Sequence, residues 1–170
     1  MGTERLDFTE FYRRSKDDCL LTVLVSVGDR DTAQELVAEA FARAWASWRT
    51  VSRHPAPRAW VVRTALNANV SRWRRRRREV LVSDTGLVTD PPPVEDAASS
   101  VDPRIMAALL RLSVRQRQVV ALRLFLDLDT DRAAEVLGIA PGTVQAHLGR
   151  AIAALRDELM PQRHQEGLPS

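Results

Sequence analysis

The sequence contains little cysteine, little lysine and no long apolar run. Cys19 is the only cysteine among 170 residues, which excludes an intramolecular disulfide, and its apolar neighbours predict a small buried core residue rather than a redox sensor. No run of about twenty apolar residues is present, and the N-terminus lacks the basic-then-apolar order of a secretion signal. We therefore expect a cytoplasmic protein without a membrane span.

Motifs that carry catalysis or bind cofactors are also missing. The sequence has no Walker loop, no serine elbow, and no metal-ligand spacing among Cys19, His54, His147 and His164. No carboxylate cluster accompanies the arginines, which argues against a metal-dependent nuclease. The sequence thus predicts a protein that is not an enzyme, with no catalytic residues, no cofactor and no metal site.

Arginine is abundant and unevenly distributed. Lys16 is the only lysine, so nearly all the positive charge is guanidinium, a group suited to bidentate contacts with phosphate and guanine. Residues 71–82 hold six arginines and one glutamate, whereas residues 83–103 hold five acidic residues and no base. A GC-rich coding bias is an equally good explanation of the arginine preference taken alone.

A proline-rich acidic segment divides the chain. Residues 90–102, DPPPVEDAASSVD, contain three consecutive prolines and small polar residues, which neither bury apolar area nor propagate a helix. We interpret residues 81–103 as a flexible linker, because a structureless loop of this length is uncommon inside one domain. The sequence predicts an all-α protein with two small helical domains, residues 1–80 and 104–162, and a tail at 163–170. The linker would let the domains touch DNA at two separated places.

Three helices are predicted in the N-terminal domain, over residues 8–27, 31–48 and 57–78. The second carries an acidic ridge, Asp31, Glu35 and Glu39, stacked one turn apart with only Arg43 to balance it. The ridge fits a basic partner surface or a merely solvated face. Its apolar stripe is Val37, Phe41, Ala44, Trp45 and Trp48.

The third helix pattern ends in RWRRRRR, whose mutual repulsion favours contact with a polyanion over a solvated helix end. Its inner side is predicted at Val62, Leu66, Val70 and Trp73. A second line of polar residues follows Arg63, Asn67, Ser71, Arg74 and Arg78.

Residues 132–156, RAAEVLGIAPGTVQAHLGRAIAALR, predict two short helices separated by a glycine-centred turn. Asp129 would cap the first helix, Gly138 would close it, and Pro141 would start the second after a poor cap at Ala140. The second helix would bury Val144, Leu148, Ala151, Ile152 and Leu155 and expose Thr143, Ala146, His147 and Arg150. This pattern is typical of a helix-turn-helix that reads DNA, although a helical hairpin packed in a protein core has the same sequence pattern.

Three segments together resemble bacterial extracytoplasmic-function sigma factors, over most of the chain: DTAQELVAEAFARAWASW (31–48), PRAWVVRTALNANVSRWRRRRR (57–78) and LSVRQRQVVALRLFLDLDTDRAAEVLGIAPGTVQAHLGRAIAALR (112–156). The resemblance implies a subunit that binds core RNA polymerase and directs promoter-specific transcription. The N-terminal domain would dock on the clamp coiled coil of the largest subunit and melt the minus-ten element. The C-terminal domain would read the duplex minus-thirty-five element.

The resemblance also assigns roles to residues. Polymerase contacts would come from Asp31, Glu35, Leu36, Glu39 and Phe41. The loop at residues 49–56 would hold a flipped base, and the single-stranded minus-ten DNA would meet Arg53, His54, Arg58, Arg63, Asn67, Arg74 and Arg75. The minus-thirty-five duplex would meet Thr143, Gln145, His147 and Arg150, with Arg115 and Arg117 reaching phosphates.

Some positions depart from the family pattern. Ala38 replaces a usual glutamine in the docking helix, and Gln145, Ala146 and His147 replace a common Lys-Ser-Arg run. The loss of two cations predicts a weaker or unusual minus-thirty-five contact.

Two further expectations concern partners and alternatives. The TVQAHL segment also resembles LuxR-type regulators, so the alternative is a helix-turn-helix DNA-binding regulator that acts without being a polymerase subunit. The acidic ridge and the apolar surfaces between the domains also lead us to expect a regulator, such as an anti-sigma protein, that holds the two domains together until release.

Overall fold

A computed structural model describes residues 2–80 and 101–160, and these residues form helices and connecting turns without any strand. The helices are α1 (Gly2–Val27), α2 (Arg30–Ala46), α3 (Trp48–Val51), α4 (Pro57–Val80), α5 (Pro103–Arg111), α6 (Val114–Leu124), α7 (Thr130–Leu137) and α8 (Pro141–Leu159). The predicted all-α class is therefore confirmed for the described residues. The tail at 163–170 and all but the last three residues of the predicted linker lie outside them.

Local sequence signals set most of the helix ends. Gly28, with a φ of 82°, closes α1 as predicted, because glycine enters the left-handed region without a steric penalty. The α2 helix begins one residue before its predicted start, because the Asp29 carboxylate accepts a hydrogen bond from the Thr32 N–H at 2.9 Å. Predicted as one helix to residue 48, this segment instead breaks at Ser47 and resumes as the one-turn α3.

The N-terminal core lies among α1, α2 and α4, which pack against one another. Its fully buried residues include Leu24, Leu36, Val61 and Val62. Of the predicted inner side of α4, Val62 and Leu66 are buried, but Val70 and Trp73 are 46% and 58% exposed. The prediction for these two residues was wrong because periodicity marks one side of a helix, whereas burial needs another element over that side.

The helix-turn-helix has the predicted local structure. The Asp129 carboxylate caps α7 by accepting from the Arg132 N–H at 2.8 Å, and Gly138 closes that helix with a φ of 65°. Pro141 is the first residue of α8, and Ala140 supplies no side-chain cap. Val144 and Ala151 are fully buried on α8, whereas Ile152, predicted to face inward, is 46% exposed.

The two domains are closed on each other, which the sequence did not predict. Helix α1 packs against α6 and α4 packs against α7. One buried cluster contains Leu36 and Val62 from the N-terminal domain together with Leu122 and Val144 from the C-terminal domain. A smaller cluster joins Val25 of α1 to apolar residues of α5, α6 and α8. We call this packing the closed arrangement. The sequence predicted two separated domains instead, because an apolar stripe on a helix does not reveal which other surface will cover it.

Candidate nucleic-acid interface

The outer face of α8 is the first candidate surface. Thr143, Gln145 and Arg150 are exposed, while Val144 fixes the helix on the core with no exposed area. His147 is only partly exposed, and its Nδ1 is buried without a hydrogen-bond partner among the described residues. The face thus presents a hydroxyl, an amide and a guanidinium, which are groups that read base edges and phosphates in a major groove.

The arginines of α6 have different surroundings. This helix starts with reciprocal hydrogen bonds between Ser113 and Gln116, both at 3.3 Å. Arg115 is exposed and donates to the Gln118 side chain at 3.2 Å.

Arg117 does not lie on the open surface where the phosphate assignment would put it. Its guanidinium donates to the carbonyls of Leu110 and Leu112, both at 3.3 Å, and to the Ser26 carbonyl of α1 at 3.5 Å. Burial lowers the pKa of this guanidinium. In this arrangement protein carbonyls occupy both Nη atoms of Arg117, and the phosphate contact stays a prediction.

Helix α4 supplies the second candidate surface. Arg63, Asn67, Arg74 and Arg75 are exposed along it. Arg58 differs from them, because its Nη2 donates to the Asp18 carboxylate at 2.7 Å and to the Phe125 carbonyl at 3.3 Å. Arg58 is therefore engaged by protein groups of both domains, although it was predicted to meet the minus-ten strand.

The acidic ridge of α2 is partly neutralised inside the protein. Arg72 of α4 donates to Glu35 at 3.0 Å and to Glu39 at 3.2 Å, and Arg43 donates to the other oxygen of Glu39 at 2.7 Å. The prediction from α2 alone, that only Arg43 balances the ridge, was therefore wrong. The sequence could not reveal Arg72, because it lies far along the chain and reaches the ridge only after α4 packs on α2.

Two of the predicted polymerase contacts are core residues. Leu36 has no exposed area and Phe41 has 4%, so both hold α2 onto its neighbours. Asp31 and Glu35 are exposed and Glu39 is half-buried. The ridge, rather than the whole predicted set, is the surface that a partner can touch in this structure.

An aromatic cluster, which the sequence analysis did not single out, includes Trp48, the residue directly before the predicted loop at 49–56, of which residues 49–51 belong to α3. The ring of Phe8 lies 5.0 Å from that of Trp45 and 5.2 Å from that of Trp48, measured between centroids. The spacing of Phe8, Phe11 and Tyr12 was the available signal.

The same loop borders a cleft between the two domains. The His54 Nδ1 accepts a hydrogen bond from the Ala56 N–H at 3.0 Å, which fixes the turn before α4. Arg53 is exposed. His54 and Arg63 line one side of the cleft, and Arg132 and Glu135 of α7 line the other. The proximity of α7 to this loop has no signal in the sequence.

Comparisons with known proteins now decide the family. The family model for sigma-70 region 2 matches residues 19–79, and that for sigma-70 region 4 matches residues 103–155. The RNA polymerase sigma-E factor of Streptomyces coelicolor is 33% identical over 92% of this chain and 88% of its own length. The ECF RNA polymerase sigma factor SigL of Mycobacterium tuberculosis is 31% identical over 76% of this chain and 75% of its own length. The chain belongs to the extracytoplasmic-function sigma factors.

A solved structure agrees with this membership. The sigma factor RpoE of Bartonella quintana, crystallised with the anti-sigma factor NepR, is 26% identical and superposes with a TM-score of 0.76. The alignment covers 92% of this chain and 99% of that one. As a sigma factor, the protein directs promoter-specific transcription by RNA polymerase, and the LuxR-type alternative is not favoured, since the region 2 match lies in the N-terminal domain.

The described residues of this sigma factor hold neither a metal-binding cluster nor a membrane-spanning helix. No three His, Cys, Asp or Glu side chains within residues 2–80 and 101–160 come together as a metal site would require. None of the helices in that part of the chain combines the length and apolarity needed to cross a bilayer.

Proposed function

We propose that this sigma factor recognises its promoters through two surfaces, the outer line of α4 for the single-stranded minus-ten element and the outer face of α8 for the minus-thirty-five duplex. The domain limits of this proposal are residues 1–80 and 104–162, with a linker at 81–103 and a tail at 163–170. The observation that carries it is the exposure of polar and cationic side chains on both surfaces while the opposite sides of the same helices are buried.

On α4, Arg63, Asn67, Arg74 and Arg75 would follow the minus-ten strand. The first three lie at steps of four and seven residues, which keeps them on one side of the helix. Arg53 and His54 would border the flipped base, a few residues along the chain from Trp48 of the aromatic cluster. Guanidinium groups provide the phosphate attraction, and unstacked bases supply the rings that a pocket can hold.

On α8, Thr143, Gln145 and Arg150 would enter the major groove, with His147 behind them. Arg115 would contact a phosphate beside the groove. Because Gln145 and His147 stand where the family pattern has lysine and arginine, base contacts would account for more of this interaction than charge does.

The acidic ridge would dock on core RNA polymerase. Asp31 and Glu35 offer exposed carboxylates, although one oxygen of Glu35 accepts from Arg72. Glu39 has one oxygen on Arg43 and the other on Arg72. Leu36 and Phe41 would contribute by holding α2 in position from within the core.

We also propose that an anti-sigma protein binds this chain, since the similar RpoE structure contains such a partner. The protein would act in the cytoplasm with RNA polymerase, as a regulatory subunit without a catalytic site of its own.

The test is transcription reconstituted with core polymerase from the source organism on promoters mapped after overexpression. Arg63→Ala with Asn67→Ala should abolish permanganate reactivity of minus-ten thymines while leaving polymerase binding intact. Thr143→Ala with Gln145→Ala should instead weaken binding to the upstream duplex. Arg104→Ala, which removes an exposed arginine of α5 that belongs to neither proposed surface, is the control for lost charge.

Failure of the purified chain to bind core polymerase, or to start transcription at any mapped site, would contradict the role. Equal effects of the two double substitutions on strand opening would contradict the division of labour between α4 and α8.

A further inference from the structure

Arg58 ties the two domains together in the closed arrangement. Arg58 lies in the first turn of α4 in the N-terminal domain. Its Nη2 donates to the Asp18 carboxylate of α1 at 2.7 Å and to the Phe125 carbonyl at the end of α6 at 3.3 Å. Arg117 makes a second tie in the opposite direction, from α6 to the Ser26 carbonyl at the end of α1 at 3.5 Å. Each guanidinium therefore joins one domain to the backbone of the other.

Neither contact between the domains satisfies all the hydrogen-bond donors of its arginine. The Nε atoms of Arg58 and Arg117 are buried and have no hydrogen-bond partner among the described residues. A buried donor without an acceptor is unfavourable, because it has lost its hydrogen bond to water and forms no hydrogen bond within the protein. At Arg58 a single nitrogen serves two acceptors while a neighbouring donor stays empty.

A phosphate group would satisfy the donors of Arg58 better than the Phe125 carbonyl does. The Asp18 carboxylate, the other acceptor of Nη2, belongs to the same domain as Arg58, so its contact does not depend on closure. Two phosphate oxygens accept from Nε and an Nη together in the bidentate geometry that guanidinium favours. The Phe125 carbonyl is one oxygen without a full charge and engages only Nη2.

We propose that Arg58 has two mutually exclusive partners, the Phe125 carbonyl of the C-terminal domain and a phosphate of single-stranded DNA, so that strand binding and domain closure compete for it. This inference rests on the proposed placement of the minus-ten strand along α4. The exposed arginines Arg74 and Arg75 bind DNA in either arrangement, whereas Arg58 binds it only after the domains part. The chain alone is then held closed, and unpaired DNA favours its opening.

The first experiment measures the distance between the domains in the full chain by energy transfer between two dyes. Ala42→Cys on α2 and Ala153→Cys on α8 place the dyes at exposed sites in different domains, outside the surface proposed for the single strand. Native Cys19 stays unlabelled, because burial raises the pKa of its thiol to about 12. The probe is single-stranded DNA of mixed sequence, about twelve nucleotides long, with binding followed by anisotropy.

The proposal predicts high transfer efficiency for the protein alone and a fall as the DNA saturates it. Unchanged efficiency at saturation would overturn the proposal. The transcription assay on the wild-type chain is independent of this readout, so transcription without a change in transfer would refute the competition and leave the promoter function standing.

The second experiment breaks the closed arrangement without touching Arg58. Arg117→Gln removes the tie to Ser26, so the affinity for the single-stranded probe should rise about fivefold, the effect of one lost hydrogen bond on an equilibrium that opposes binding. The same substitution in an Arg58→Gln background should give no rise, because the competing side chain is gone. Arg115→Gln removes an equal charge two residues away without loosening the domains and should not raise affinity. A gain that persists without Arg58, or a loss equal to that of Arg115→Gln, would overturn the proposal.

Discussion

The two halves of helix α4 have contrasting environments although both carry arginine. From Ala59 to Leu66 the helix is packed into the core, with Val61, Val62 and Ala65 fully buried and Arg58 tied to both domains. From Asn67 onward most side chains are exposed, including the run from Arg74 to Arg78. The same residue type thus acts as a structural tie in one half and as an open cation in the other. The role of an arginine in this helix follows from what packs against it.

Two side chains refine this contrast in the outer half. Arg72 turns back onto Glu35 and Glu39, and Arg77 lies 4.8 Å from the centre of the Trp73 ring. The outer half is therefore ordered by polar and cation–π contacts rather than by apolar burial.

The largest expected effect is on thiol chemistry. Cys19 lies beside Arg58, and its pKa is raised to about 12 chiefly by burial, an effect that Arg58 partly opposes. At pH 8 this leaves roughly a thousandfold less thiolate than an exposed cysteine has, so Cys19 should be almost inert to a thiol reagent until the protein unfolds. In contrast, Val70→Cys in the outer half should react at once. If Cys19 and Val70→Cys react with the reagent at equal rates, the inner and outer halves of α4 do not differ in burial as the structure indicates.

The raised pKa of Cys19 also predicts how the free energy of unfolding changes at high pH. Its ordinary pKa is 9.0 and its value in the folded protein is about 12. The folded state therefore keeps a proton that the unfolded state loses, so the contribution is complete below pH 9 and declines as pH rises above it. Comparing denaturant midpoints of wild-type and Cys19→Ser at rising pH checks the sign.

A matched pair of valines tests packing in the two halves. Val62→Ala removes two methyl groups from a fully buried site and should lower the free energy of unfolding by about 2 kcal/mol. Val70→Ala, the same change on the exposed half, should stay within about 0.5 kcal/mol of wild-type. Urea denaturation followed by circular dichroism gives both values. Similar losses would mean that Val70 is covered in solution.

The third comparison pairs two arginines. Arg58→Ala should cost about 1 kcal/mol of stability, a modest figure because the Asp18 partner is half exposed and solvent weakens the ion pair. Arg74→Ala should leave stability unchanged but reduce the salt dependence of single-stranded DNA binding by somewhat less than one charge. A stability loss at Arg74 would show that the outer half is held by more than its exposure indicates.

The smallest effect is expected at Arg72. Replacing it with alanine should destabilise the protein by less than about 1 kcal/mol, since Glu35 is largely exposed and surface ion pairs are weak. Arg75→Ala, with the same lost charge and without the ridge contacts, is the control. If the two variants unfold alike at low salt, the Arg72 pairs contribute nothing measurable.

Local chemistry allowed much of the architecture to be predicted. The cap at Asp129, the left-handed glycines at 28 and 138 and the proline at 141 each act within one helical turn, and all are found as expected. The placement of Val70, Trp73 and Ile152 could not be predicted, because their burial depends on whether a neighbouring element reaches them. The surroundings of Arg117 could not be predicted for the same reason, since its three carbonyl partners come from two different domains.

By itself the sequence determined the all-α class, the caps at Asp129, Gly138 and Pro141, the two helices of the helix-turn-helix and the membership in the sigma factors, because periodicity, turn residues and motif order are all local or linear properties. Only the tertiary structure decided that the two domains share one core, that Arg72 partly neutralises the acidic ridge and that Arg58 and Arg117 join the domains. These contacts bring together residues far apart in the chain, up to 91 positions for Arg117 and Ser26. These contacts form only after folding has determined which apolar faces of the helices pack together.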